Sequence, residues 1–477
     1  MKTKTLGLVL VPLALGLLDA VPRARAEAPH DVKAAAPGYR AMPMTVDTLD
    51  NGLRVVVVPM AGAPTVAFYT LVMAGSRDEV EPGRSGYAHL FEHLMFRGTK
   101  EIPAAAYEKR MQSLGSDNNA FTTDDFTFFT PLIPKESLAE LVPVEADRFE
   151  HLDVAPAAYK DETGAVAGEF NKDFSNPWWA MDEALRELAF TRHTYGHTVI
   201  GYKRDVDAMP QNYAYSKVFF SRFYVPDDCV IFAVGDVSRG EVLDLVKKSY
   251  GAWKGRRANP TIQTEPEQRA PRRHDMIWKG PTTPRMTIAY KVPGAAESPK
   301  GTPKDALADS AALGVLATMV FGEPSALYQK LVVTEQKVIG LEADPDEMLH
   351  RDPGLMRVDA KLKEGTSFDE ILADVQGALD AVAQGKVDDK ELADARNHLT
   401  SGLVLSMQTP GDVAVRLAYL TAATGGDPHA FDRYMAAVGM VGKDDLVRVA
   451  KMLTAAHRDV VTLSPPAKVV ATKGAKK

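Results

Sequence analysis

Gly86-Tyr-Ala-His-Leu-Phe-Glu-His-Leu-Met-Phe-Arg-Gly-Thr99 is the stretch on which the reading of this chain turns. Tyr87, Leu90, Phe91, Leu94 and Met95 recur at helical spacing, which predicts a helix packed on two sides, with Ser85 as its cap and Arg97-Gly98 as its stop. His89 and His93 are four residues apart and therefore share one face. Two imidazoles so placed can hold one zinc at about 2.0–2.1 Å each. Glu92, between them in sequence, can take a proton from a zinc-bound water. The order His-x-x-Glu-His reverses the commoner His-Glu-x-x-His. A five-residue match recurs by accident, so the rest of the chain has to support it.

A zinc site that does chemistry keeps three protein ligands and one open position. The best third ligand is Glu169, in Lys160-Asp-Glu-Thr-Gly-Ala-Val-Ala-Gly-Glu-Phe170. Glu162 precedes it by seven residues, two helical turns, and shares its face. Gly164 and Gly168 each weaken a helix by about 1 kcal/mol relative to alanine, so they predict a close approach to another helix. Taken alone, these glutamates also fit an ordinary solvated helix face.

Working outward, 477 residues suggest two to four domains. An apolar content of 45% with 25% charged residues is that of a soluble globular protein, and a net charge of -7 gives no reason to expect nucleic acid. The single cysteine, Cys229, rules out an internal disulfide, and its run Cys229-Val-Ile-Phe-Ala-Val234 reads as a buried strand. Lys2 and Lys4, the apolar run Leu6 to Leu18 and the small residues Ala24-Arg-Ala26 read as a secretory signal peptide cleaved after Ala26. The apolar run is too short for a stable anchor, and no other stretch reads as a membrane span. The chain is thus expected to be exported, periplasmic or secreted.

The expected organisation is a signal peptide (1–26), a linker (27–43), a zinc-binding domain (44–254), an interdomain linker (255–273), a second domain (274–464) and a flexible tail (465–477). Asn51-Gly52 predicts a hairpin into Leu53-Arg-Val-Val-Val-Val58. Strands are expected near 65–73, 119–123, 126–129, 229–234, 286–291 and 355–362. Helices are expected near 104–114, 135–152, 157–174, 177–190, 239–250, 305–320, 368–384 and 389–405. The strand, helix, strand, helix plan occurs twice at about 220-residue spacing, which points to a duplication. The fold class is therefore α+β: two homologous half-domains, each a mixed or antiparallel sheet covered by helices, forming a clamshell. The second half repeats topology without chemistry, because Ala311-Ala-Leu-Gly-Val-Leu-Ala-Thr-Met319 stands where the first half has its histidines.

Over nearly the whole mature chain the sequence resembles the pitrilysin/insulinase inverzincin peptidases, in particular the shorter branch that includes mitochondrial processing peptidase and its bacterial relatives. Residues 86–99 match the family's zinc helix at almost every position, and Glu162 and Glu169 match the spacing of its glutamate pair. The resemblance implies a zinc metalloendopeptidase acting on oligopeptides or unfolded segments, with one Zn2+ per chain. His89, His93 and Glu169 would be its ligands, Glu92 the general base and Glu162 a carboxylate orienting the site. Asn119, Ala120, Phe121 and Thr122 are similar to the family's substrate strand, an exposed edge that pairs with the peptide main chain.

The resemblance breaks in the second half. Self-sufficient members offer an arginine and a tyrosine where this chain has Val332 and Ile339, and no arginine lies between Arg285 and Arg351. This implies a heterodimer with a related subunit that carries the Arg/Tyr motif. A homodimer, or a monomer in which Lys330 or Tyr328 substitutes, is the other reading. The runner-up function is a non-catalytic, chaperone-like or assembly subunit. A purely structural zinc site is disfavoured by a three-ligand set.

Overall fold

Consecutive apolar residues in Leu53 to Val58 and Cys229 to Val234 have a simple cause: a strand covered on both faces has no solvent side. The computed structural model describes residues 39–294, 296, 306–344 and 350–466. The expected signal peptide and most of the expected linker and tail lie outside them. Strands β1 (Thr45–Thr48), β2 (Arg54–Pro59), β3 (Thr65–Val72), β4 (Ala120–Thr122), β5 (Thr127–Phe129), β6 (Leu132–Pro134) and β7 (Cys229–Gly235) form one sheet, in the order β1-β2-β7-β3-β5-β4 with β6 beside β3. Strands β8 (Arg272–Ile277), β9 (Arg285–Val292), β10 (Val338–Asp344), β11 (Gly354–Leu362) and β12 (Arg458–Ser464) form a second, in the order β10-β11-β9-β12-β8.

The two sheets share a wiring. In the first, β2 runs parallel to β7, which runs antiparallel to β3, then β5, then the edge strand β4. In the second, β8 runs parallel to β12, which runs antiparallel to β9, then β11, then the edge strand β10. The expected α+β pair of like halves is borne out, with β8, β10 and β12 as strands that apolar patterning did not reveal. Polar residues such as Arg272, Arg273, His274 and Asp275 explain why β8 escaped.

The first half carries helices α1 (Tyr87–Leu94), α2 (Ala104–Ser113), α3 (Leu138–His151), α4 (Pro156–Asp173), α5 (Pro177–Ala189), α6 (Lys203–Ala208), α7 (Tyr213–Phe223) and α8 (Arg239–Tyr250). The second carries α9 (Ala306–Phe321), α10 (Ala326–Tyr328), α11 (Phe368–Ala383), α12 (Asp389–Leu405), α13 (Pro410–Ala423), α14 (Ala430–Met440) and α15 (Lys443–Ala450). Alternation along each strand sorts side chains to opposite faces. Val55, Val57, Phe68 and Ile231 meet Leu90, Phe91, Leu141 and Val246 of α1, α3 and α8. Val56, Val58, Tyr69 and Phe232 face the other way, into a core with Ala414, Leu417 and Tyr419 of α13.

The halves thus exchange helices. Helix α13 of the second half covers the first sheet, and α5 of the first half covers the second sheet through Met181, Leu185 and Ala189 against Leu355, Val461 and Leu463. Arg272 Nη1 bonds the carbonyls of Leu188 and Ala189 at the end of α5, at 2.6 and 3.0 Å, and Lys291 Nζ joins it at Ala189. Cations at a helix C-terminus complement its dipole.

One expectation needs correction. Ala306–Thr334 is apolar and long enough by composition to cross a membrane, contrary to the reading that only the N-terminus comes near that. Its burial explains the composition: Leu307, Leu313, Leu316 and Val320 are core residues. Within the expected interdomain linker (255–273), residues 265 and 268 are held to both halves. The Glu265 carboxylate accepts the amides of Thr191, Arg192 and His193, and Gln268 is buried, donating to Asp459 at 3.0 Å.

Candidate metal centre

Helix α1 begins at Gly86, where φ is +87° and a Cβ would meet the Ile200 carbonyl oxygen at 2.4 Å, so only glycine fits. Ser85 is not its cap, contrary to expectation: its hydroxyl donates to Asp205 at 2.6 Å and accepts the Tyr202 amide. The cap is Glu79, whose carboxylate accepts the amides of Gly86 and Ala88 at 2.6 and 2.7 Å. A carboxylate at this end satisfies orphan amides and matches the helix dipole. Burial nevertheless pushes the Glu79 carboxyl well above its ordinary range, against those backbone bonds.

Helix α4 lies against α1 and presents its two glutamates to the histidine face. Glu169 Oε2 is 3.7 Å from His89 Nε2 and 3.4 Å from His93 Nε2. Ligands about 2.1 Å from one zinc, at tetrahedral angles, sit about 3.4 Å from each other. Both Glu169 spacings and the donor set, two imidazoles and a carboxylate, suit zinc, the three ligand atoms lie within 4.8 Å of one another, and no other His, Cys, Asp or Glu group among the described residues gathers so. Glu162 Oε2 lies 3.4 Å from His93 Nδ1, and its other oxygen is ion-paired with Arg97. A carboxylate on the far nitrogen fixes tautomer and ring orientation in metal-binding histidines. His89 lacks that support, since its Nδ1 is buried without a partner among the described residues.

Glu92, beside them, accepts a hydrogen bond from Thr122 Oγ1 at 2.8 Å. Burial pushes its carboxyl up to about 7, opposed by Thr122 and His93. Burial, with His93 beside it, pushes the His89 imidazole down, so that it is neutral and its lone pair is available. For His93 burial opposes the charge, but Glu162 and Glu169 together outweigh it and raise the imidazole to about 9.

Strand β4 is the outer strand of the first sheet and pairs only with β5 among the described residues. Asn119, exposed just before it, lends its carbonyl to Thr130. Ala120 is buried, while Phe121 and Thr122 are half-buried. An open cleft of about 660 Å³ runs from Phe96 and Arg97 past Tyr107 and Met111 to Asn118.

Three findings were not legible beforehand. Gly164 and Gly168 face open space, with nothing within 4 Å of a would-be Cβ, so α4 does not use them to approach α1. Glu79 caps α1 from outside any recognisable motif. Thr122, expected only as part of a substrate strand, bonds Glu92. In the second half, Val332 is half-buried and Ile339 stands exposed on β10, while Lys330 is bound to Asp374 at 2.5 Å.

Residues 54–203 match the family described as Insulinase (Peptidase family M16), and residues 213–399 match its companion, the Peptidase M16 inactive domain. The chain belongs to the M16 family. Among M16 relatives, it is 26% identical over 411 residues to the zinc protease PqqE of Helicobacter pylori, covering 84% of this chain and 88% of that one. The solved structure of a protease from Helicobacter pylori superposes with a TM-score of 0.80 at 25% identity, over 89% of this chain and all (100%) of the other. The periplasmic protease PqqL from Escherichia coli shares the fold, with a TM-score of 0.72 at 18% identity, over 90% of this chain but 48% of that one.

Proposed function

We propose that this M16 member is an exported zinc metalloendopeptidase that hydrolyses oligopeptides or unfolded segments, and that it is the zinc-bearing subunit of a heterodimer. The observation that carries the reading is the meeting of His89, His93 and Glu169 beside a half-buried Glu92 that Thr122 holds. A bound zinc would polarise a scissile carbonyl and make water acidic enough to ionise near pH 7. Glu92 takes the proton of the attacking water and returns it to the departing amine, the work of a carboxylate held in place by Thr122. Glu162 keeps the His93 ring in register. The outer edge of β4 supplies backbone partners to an extended peptide, with affinity that depends little on its sequence. The cleft between Phe96 and Asn118 takes a side chain beside the centre.

Export rests on the N-terminal signal pattern, and PqqL being a periplasmic protease agrees with it. The partner rests on Val332 and Ile339 standing where an arginine and a tyrosine are expected, and on this chain matching only 48% of PqqL, which leaves room there for a second unit. A non-catalytic role is favoured by the inactive-domain match at residues 213–399. All four residues of the centre and its base lie in the other matched segment, 54–203, so that match says little against catalysis.

The test is hydrolysis of a quenched extended peptide by the zinc-loaded chain, alone and with a related subunit carrying the Arg/Tyr motif, against Glu92→Gln. The account expects turnover with the partner and none in the variant. Zinc bound without turnover in either mixture supports the non-catalytic role instead.

A further inference from the structure

Among the described residues strand β4 has one strand neighbour, so the turn that joins it to β5 helps to fix its position. That turn is Thr123-Asp124-Asp125-Phe126, and its two carboxylates are gripped from the second half. His350 Nε2 lies 2.9 Å from Asp124 Oδ2, and the Arg351 amide donates to Asp125 Oδ2 at 2.9 Å. Arg186 of α5 donates to both oxygens of Asp124 at 2.9 Å, and Tyr195 donates to Asp125 at 2.8 Å. Gly75 completes the seat, since a Cβ there would meet the Asp124 carbonyl oxygen at 2.3 Å.

The next residue of the second half is held too: Asp352 accepts Arg77 Nε at 2.6 Å and pairs with His193 at 2.9 Å. The hairpin is gripped again on its aromatic face. Tyr419 of α13 stacks on Phe121 of β4 at 5.8 Å and meets Phe126 edge-on at 5.0 Å. Immediately before the turn, Thr122 reaches Glu92.

We propose that His350, with the backbone of Arg351, is a positioning residue: the second half clamps the β4–β5 turn through it and so sets the peptide-binding edge and the Thr122 bond to Glu92. The second half thereby contributes to the centre without offering a ligand. The inference rests on the reading of β4 as the peptide-binding edge. None of His89, His93 and Glu169 lies on the hairpin, so a loosened clamp spares the metal.

The test is amide hydrogen exchange on the full zinc-loaded chain, comparing wild type with His350→Ala and with His350→Gln, whose amide nitrogen can replace Nε2. The expected result is exchange at least tenfold faster in residues 118–128 of the alanine variant, with α1, α4 and zinc content unchanged and partial recovery in the glutamine variant. In a Glu92→Gln background, an extended peptide that the parent binds should bind about tenfold more weakly once His350→Ala is added. Exchange unchanged at 118–128, or raised throughout both halves with loss of zinc, overturns the proposal. Exchange is read without turnover, so a chain that never cleaves a peptide contradicts the proposed activity and leaves the clamp to be judged on its own.

Discussion

The two halves of this chain are wired alike and equipped differently. Between their second and third main strands, the first half places α1, with two histidines and a glutamate, and the second places α9, whose residues Ala311 to Ala317 are all buried and apolar save Gly314. Helix α1 can afford polar residues because α4 brings carboxylates to meet them, which keeps each buried charge partnered. Helix α9 packs its Leu313, Val315 and Leu316 into hydrocarbon instead. The same architecture therefore carries a candidate metal centre or a plain core according to what one short helix holds. The second half then acts on the first by packing, through α13 and the residues 350–352.

The largest effect is expected at Glu92. Glu92→Gln should lower peptide hydrolysis by about 10²–10⁴-fold while zinc content stays at the parent value, since the variant keeps all three ligands. Assays of turnover and metal on the same preparation check it.

The packing end comes next. Tyr419 is 6% exposed and joins α13 to the first sheet. Truncation of a large buried aromatic costs about 3–5 kcal/mol. Tyr419→Ala should lose about that much in denaturant unfolding, with both halves unfolding earlier because the core is shared.

A smaller effect belongs to the support of the centre. Glu162→Gln leaves three ligands but takes the charged partner from His93, and should weaken zinc by about 10–100-fold in a competition titration with a chelator. An unchanged affinity would mean that Arg97 is the true business of Glu162.

The smallest effect sharpens the helix exchange. Burial pushes the Lys291 ammonium down to about 8, against Asp459 and Glu265. The unfolded value is about 10.4, so between these pH values the folded chain binds fewer protons than the unfolded chain. Stability carried by this group should therefore rise as pH rises from about 8 to about 10.4. Denaturation midpoints across that range should climb in the parent, and the climb should flatten in Lys291→Met.

Much of the fold was written locally. Asn51-Gly52, the continuous valines of β2, the apolar run of β7 and the proline-started α5 each announce themselves by short-range chemistry. The His/Glu group was legible because one turn of helix relates His89 to His93 and two turns relate Glu162 to Glu169. What escaped is what sequence separation hides. The seat of α5 on the distant sheet, the cap from Glu79 and the grip of His350 on Asp124 depend on long-range packing that no periodicity encodes. The glycines of α4 misled for the opposite reason: a local cost was read as tight packing, and nothing in the structure explains them.

The central claim is that α1 and α4 together hold one cation. Its most direct measurement is zinc per chain, by elemental analysis after exhaustive dialysis, on the parent and on His89→Ala, His93→Ala and Glu169→Ala, with circular dichroism on each. The account predicts one zinc per folded parent chain and near-complete loss in every variant with the fold retained. A parent that folds without zinc under zinc-replete conditions, or a Glu169→Ala variant that keeps it in full, contradicts the account.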